Sequence, residues 1–109
     1  MNEQLSLFDM IRDNSVKSLK PGDYVETVGR ELSFDEITKR VGQLIIIERA
    51  TESREWYKVV QVEKIYIYPE NGNRRLIYYD GQQQRGLVDE MYFAPRYKGR
   101  FPVRVFEIC

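Results

Sequence analysis

Three groups of residues in this chain carry side chains able to do chemistry. The first is a pair of adjacent carboxylates at two places, Asp35-Glu36 and Asp89-Glu90. Converging carboxylates could serve as acid and base, or hold a cation. Neighbours on a strand point to opposite faces, so Asp89 and Glu90 are not expected to converge. Asp35 and Glu36 fall in the expected first turn of a helix, where they complement its macrodipole. The second group is a lone thiol, Cys109, the last residue. One cysteine offers neither an intramolecular disulfide nor a CxxC metal site, which points to a reducing compartment. The sequence has no histidine, which removes Ser-His and Cys-His catalysis and His-ligated zinc or haem. Neither a phosphate loop nor a G-x-S-x-G motif is present. A non-catalytic protein with no cofactor and no metal is the expectation.

The third group is basic and aromatic. Between Met91 and Phe106 there is no acidic residue. The interval holds Arg96, Lys98, Arg100 and Arg104, interleaved with Tyr92, Phe93, Tyr97 and Phe101. Cations contact phosphates and aromatic faces stack on bases, so the mixture suits nucleic acid. Arg74, Arg75 and Arg85 extend the patch if hairpins bring them close. The candidate nucleic-acid set is Arg74, Arg75, Arg96, Tyr97, Lys98, Arg100 and Arg104. A second reading stands beside it. Phe101, Val103 and Val105 alternate as an ordinary strand with Arg104 outward, and Arg and Tyr also dominate protein interfaces.

The elements that must position these residues are short strands. Pro21-Gly22-Asp23 is a turn leading into a strand over Tyr24–Val28. Ser33 and Glu36 have capping-box spacing, and Ile37 and Val41 lie four apart, predicting one short helix over about 33–41. Leu44–Ile47 is apolar on both faces and reads as a buried central strand. In the long β-prone run from Trp56 to Tyr68, Val60 and Val62 share a face, whereas Ile65 and Ile67 fall on the other. That phase change at Glu63-Lys64 predicts a bulge. Asn71-Gly72 predicts a type I′ hairpin turn with positive φ at both residues. Asp80-Gly81 marks the next turn, and Leu87–Phe93 and Phe101–Ile108 are the final strands. The fold class is mainly β, a small strongly bent barrel of five to seven short strands with one inserted helix; an open α+β sheet is the runner-up. Leu19-Lys20-Pro21-Gly22-Asp23-Tyr24-Val25 resembles the first strand of many SH3-like barrels.

Residues 1–20 form a leader with an apolar cluster of Leu5, Leu7, Phe8, Met10 and Ile11, and residues 21–109 form a single domain. Residues 4–8 read Gln4-Leu5-Ser6-Leu7-Phe8. This resembles the pentapeptide by which bacterial proteins dock on the β sliding clamp of the replisome, Gln-Leu-Ser/Asp-Leu-Phe, at all five positions. The resemblance implies that Leu7 and Phe8 fill the main apolar subsite of the clamp. Gln4 would hydrogen-bond in a second small pocket, with Leu5 and Ser6 spanning between. Residues 4–10 are also similar to the N-termini of several proteins carried by phages and conjugative elements. Leu5, Phe8 and Ile11 lie at i, i+3 and i+6, so the leader could equally pack on the body as a short helix.

Composition bounds the rest. With 109 residues, one modest core is affordable. Hydrophobic residues at 42% and charged residues at 31% fit a globular domain rather than a disordered tail. Lys+Arg and Asp+Glu both number 17, so contact with polyanions must come from a local patch. Acidic residues predominate in 21–60 and basic residues in 61–109. No apolar run approaches the length of about 20 residues that spans a bilayer, and no basic residues precede an apolar stretch at the start. A cytoplasmic protein contacting the clamp, and DNA or a second protein, is the expectation. The rival is a stand-alone protein-binding module, such as a phage inhibitor of a host or defence enzyme.

Overall fold

The computed structural model describes residues 19–50, 55–94 and 96–109. Seven strands appear among them: β1 (Tyr24–Val25), β2 (Glu31–Leu32), β3 (Leu44–Ala50), β4 (Glu55–Ile67), β5 (Arg74–Tyr79), β6 (Gly86–Asp89) and β7 (Arg104–Phe106). They form one antiparallel sheet in the order β2-β7-β3-β4-β5-β6. Thirteen-residue β4 is the spine. Its first half pairs with β3 on one edge and β1 on the other, and its second half pairs with β5. A parallel bridge between Phe93 and Val103 joins the chain leaving β6 to the start of β7. The sheet thus bends into a small barrel-like body, as expected from the strand pattern.

The bend comes from the bulge. Val62 pairs with Tyr78 and Lys64 with Ile77, leaving Glu63 without a partner residue on β5. One extra residue resets the alternation, so Val60, Val62 and Ile65 all face the core although their spacing breaks period two. Ile37, Ile45, Ile47, Leu76 and Val105 complete its fully buried part. Both faces of β3 are indeed covered, since Ile46 is buried as completely as Ile45 and Ile47.

A single α-helix, α1 (Phe34–Thr38), drops Phe34 and Ile37 into the core. Its capping box forms as the sequence predicts: the Glu36 N–H donates to Ser33 Oγ at 3.2 Å, and the Ser33 N–H donates to Glu36 Oε1 at 2.9 Å. The helix is shorter than the expected span of about 33–41. Lys39 and Arg40 donate to carbonyls three residues back, on Glu36 and Ile37, which tightens the last turn. Val41 consequently leaves the Ile37 face and is exposed.

Other expectations are corrected in detail. The first strand is only Tyr24–Val25, because the chain then leaves β4. The Asn71-Gly72 hairpin exists, but only Gly72 takes positive φ, at 74°. The loop spans four residues, with the Gly72 N–H donating to the Tyr68 carbonyl and the Asn73 N–H to Asn71 Oδ1. The predicted strand over Leu87–Phe93 breaks at Glu90, where a 3₁₀ turn, η1 (Glu90–Tyr92), begins. The final strand shrinks from Phe101–Ile108 to Arg104–Phe106.

Ion pairs brace the ends of α1. Arg30 meets Glu36 at 2.7 Å, and Arg40 meets Glu107 at 2.7 Å. The Arg30 guanidinium, helped by the Ser33 N–H, holds the Glu36 carboxyl down to about 2 from its ordinary 4.5. A carboxylate depressed in the folded state adds stability above its unfolded pKa and loses it as pH falls through the folded value. Urea denaturation should therefore give a plateau down to about pH 5, with stability falling between about pH 4.5 and 2. Glu36→Gln, which keeps an acceptor at the cap but cannot ionise, should remove part of that fall. A Glu36→Gln profile superimposable on that of the parent would contradict this account.

Candidate nucleic-acid interface

The bridge between Phe93 and Val103 turns the basic-aromatic stretch into a loop with fixed ends. The Ala94 N–H donates to the Val103 carbonyl and the Val103 N–H to the Tyr92 carbonyl, both at 2.9 Å. The Tyr97 N–H donates to the Phe93 carbonyl, also at 2.9 Å, folding the first part of the loop back on its base. Phe93 anchors the base in the core, edge-to-face on Phe34 at 5.1 Å. Tyr97 packs edge-to-face on Tyr92 at 5.5 Å.

Beyond this base the loop is cationic and exposed. Arg96, Lys98 and Arg100 are all on the surface. Among the described residues, no carboxylate lies within ion-pair distance of Arg96 or Lys98. The Arg96 charge still reaches Glu90, which it helps to hold below the ordinary carboxylate range, although Arg74 does most of that work. The Arg100 guanidinium lies over the Phe101 ring, 4.9 Å from its centroid. Phe101 has a φ of 59°, the one non-glycine residue in the left-handed region among those described. A bulky residue held there costs roughly 1–2 kcal/mol. Such strain concentrates at functional sites, and here it holds an aromatic ring at the surface.

Beside the loop lies an open depression of about 640 Å³, walled by Leu32, Ala94, Tyr97, Lys98, Pro102 and Arg104. Glu31 and Glu36 also reach it, so its charge is mixed. Arg104 stands on β7 facing Glu31, 4.0 Å away. Tyr97, Lys98 and Arg104 thus meet at this depression, whereas Arg96 lines two others, beside Arg74 and Glu90. Glu31, Glu36 and Leu32, which the sequence reading did not connect with the loop, border it through the β2–β7 pairing, a contact without a linear signal.

Arg74, though it walls the same depressions as Arg96, and Arg75 are engaged differently from the loop cations. Arg74 donates two hydrogen bonds to Glu90, at 2.9 and 2.6 Å, and meets Asp35 at 2.8 Å. Its guanidinium also stacks over Phe34. Arg75 bonds Asp89 at 2.7 Å, and Asp89 accepts a further bond from the Tyr68 hydroxyl at 3.2 Å. Hydrogen bonds from these guanidinium groups hold both Asp89 and Glu90 below the ordinary carboxylate range. Arg74 clamps η1 and α1 to β5, and Arg75 ties β5 to the end of β6. Their charge is balanced locally, and Arg104 likewise faces Glu31, so Arg96 and Lys98 are the loop cations that no described carboxylate meets at ion-pair distance. Arg85 is likewise taken up by Glu63 at 2.7 Å and lies over Tyr79.

The carboxylate pairs do not converge. Asp89 and Glu90 turn to different arginines, as do Asp35 and Glu36. Among the described residues, no group of three or more His, Cys, Asp or Glu is placed to hold a metal ion, and no helix is long and apolar enough to cross a membrane. Gln4, Leu5, Ser6, Leu7 and Phe8, the docking-like pentapeptide, lie outside the described residues. No protein-family model, curated protein or solved structure matches this chain.

Proposed function

We propose that this chain is a non-catalytic adaptor of the bacterial cytoplasm. It docks on the β sliding clamp through Gln4–Phe8 and contacts single-stranded nucleic acid through the 94–102 loop. What supports the docking half is the five-position match in residues 4–8. What supports the body's half is one arrangement: a loop pinned by the Phe93–Val103 bridge that presents Arg96, Lys98 and Arg100 together with Tyr97 and Phe101. Cations for phosphates and rings for base faces are what sequence-tolerant strand binding needs. A clamp that already encircles DNA raises the local strand concentration, so each half can be weak and the pair still effective.

Two apolar anchors contribute about 3–6 kcal/mol before ordering costs, so micromolar docking, at about −8 kcal/mol, also needs the Gln4 hydrogen bond and the contacts of Leu5 and Ser6. Calorimetry of the full chain against a bacterial β clamp tests this. Micromolar binding is expected, and Leu7→Ala/Phe8→Ala should abolish it. A folded chain that gives no heat with the clamp rejects the docking half.

A second reading has its own observation. Met91 and Tyr92, beside the loop, are 49% and 45% exposed, and Tyr with Arg is the composition of protein hot spots. On that reading the body is a protein-binding module, an inhibitor of a host or defence enzyme, and the leader is part of its fold. Binding of a protein partner that Met91→Ala/Tyr92→Ala abolishes and Lys98→Glu leaves intact would select it.

A further inference from the structure

We infer that the outer face of β3, β4 and β7 is the seat of the chain's own leader, residues 5–11. Side chains alternate along a strand, and Ile45, Ile47, Val60, Val62 and Val105 point into the core. Ile46 and Val59 are paired in register and point the other way, with Phe106 opposite Ile46. Yet Ile46 is 1% exposed and Val59 is 0% exposed. In-plane neighbours shield the flanks of a side chain, not its top. Full burial on a second face needs a second layer.

The described helices do not supply that layer. α1 packs on the core side through Phe34 and Ile37, and η1 packs against β5. Two longer pieces of chain remain outside the described residues. Residues 51–54 read Thr-Glu-Ser-Arg, all polar, whereas residues 5–11 carry Leu5, Leu7, Phe8, Met10 and Ile11. The connection favours the leader as well. Just after it, the Gly22 N–H donates to the Val59 carbonyl at 2.8 Å, so the chain joins the body at the very residue to be covered. From Gly22 back to Ile11 an extended chain reaches up to about 36 Å, more than enough to cross three strands. Around Ile46 and Val59 the floor is apolar, with an aromatic wall of Tyr57 edge-to-face on Phe106 at 5.9 Å, and it carries one buried carboxylate, Glu48, two residues along from Ile46 on the same face. Leu5, Phe8 and Ile11, spaced for one helical face, complement it.

A consequence rests on the clamp-docking reading proposed above. Residues of the docking pentapeptide are then stored on the body, and a clamp must draw them off. Its apparent affinity for the full chain is the intrinsic affinity multiplied by the fraction of leader released.

Methyl NMR of the full chain tests the seat. Cross-peaks are expected from the Ile46 and Val59 methyls to Leu5, Phe8 or Ile11, and Leu5→Ala/Phe8→Ala should shift the Ile46 and Val59 resonances. Absence of those cross-peaks, with unshifted Ile46 and Val59 in the variant, overturns the inference whatever the clamp does. The exchange is read separately. A peptide of residues 1–12 should bind the clamp several-fold more tightly than the full chain, and equal affinities would overturn the exchange. If neither peptide nor chain binds, the docking reading fails and the cross-peaks alone decide the seat.

Discussion

Gly86→Ala is expected to destabilise the body by about 1–3 kcal/mol, the usual cost of forcing an extra group into a filled space. Tyr78 and Gly86 face each other across β5 and β6, and the Tyr78 ring lies flat against the glycine. A Cβ built on Gly86 would sit 2.1 Å from Tyr78 Cζ and 2.6 Å from its hydroxyl. The far end of the ring must move. It cannot move inward, because Tyr78 belongs to the core cluster with Val62, Leu76 and Val88. It can swing outward only by giving up its burial, now 94% by its 6% exposure. Each kcal/mol lowers the thermal midpoint of a domain this size by about 4–8 °C, so calorimetry resolves the effect. A double-mutant cycle with Tyr78→Ala isolates the cause. Without the ring, Gly86→Ala should cost little, and an equal cost in both backgrounds would rule out the ring as the cause.

The second large effect concerns the loop. Arg96→Glu/Lys98→Glu should abolish binding of a single-stranded oligonucleotide while leaving the unfolding midpoint near that of the parent, since neither side chain is ion-paired among the described residues. For the parent, affinity should fall with salt along a slope of about −0.7 for each phosphate neutralised. Tyr97→Ala should weaken binding about five- to 150-fold, if one base stacks on the ring at about 1–3 kcal/mol. Arg74→Gln should behave in the opposite sense to the loop variants. It removes the partner of Glu90 and Asp35, so stability falls, and strand affinity at low temperature is retained. Salt-independent binding, or a charge-reversed variant that binds like the parent, would disqualify the loop.

How far the sequence spoke depends on whether the signal was local. The capping box at Ser33 and Glu36 was legible because both partners lie within one turn. The bulge at Glu63 was legible because it breaks an alternation that the core must restore. The exact turn at Asn71-Gly72 was not, since its length depends on where Tyr68 and Asn73 close the ladder. Arg74 and Arg75 looked like part of a basic patch because a sequence displays a charge without its counter-charge. In the antiparallel register Arg75 stands opposite Asp89, and Arg74 meets Glu90 one residue on. An Arg-Arg step facing an Asp-Glu step across a hairpin is a readable pattern once the pairing is considered. The burial of Ile46 and Val59 was half legible: the sequence shows β3 apolar on both faces, and not what lies over the second.

The bridge that pins the loop has a consequence for how this surface could change over time. Phe93 and Val103 fix the two ends of the segment between them within one pair of hydrogen bonds, and the core ends at those two residues. Insertions, deletions or wholesale replacement of residues 96–101 would alter what the body recognises while leaving the sheet to fold as before. The segment is a cassette: a place where ligand choice can diverge quickly among descendants of one scaffold, and where a library of randomised sequences could be installed by design.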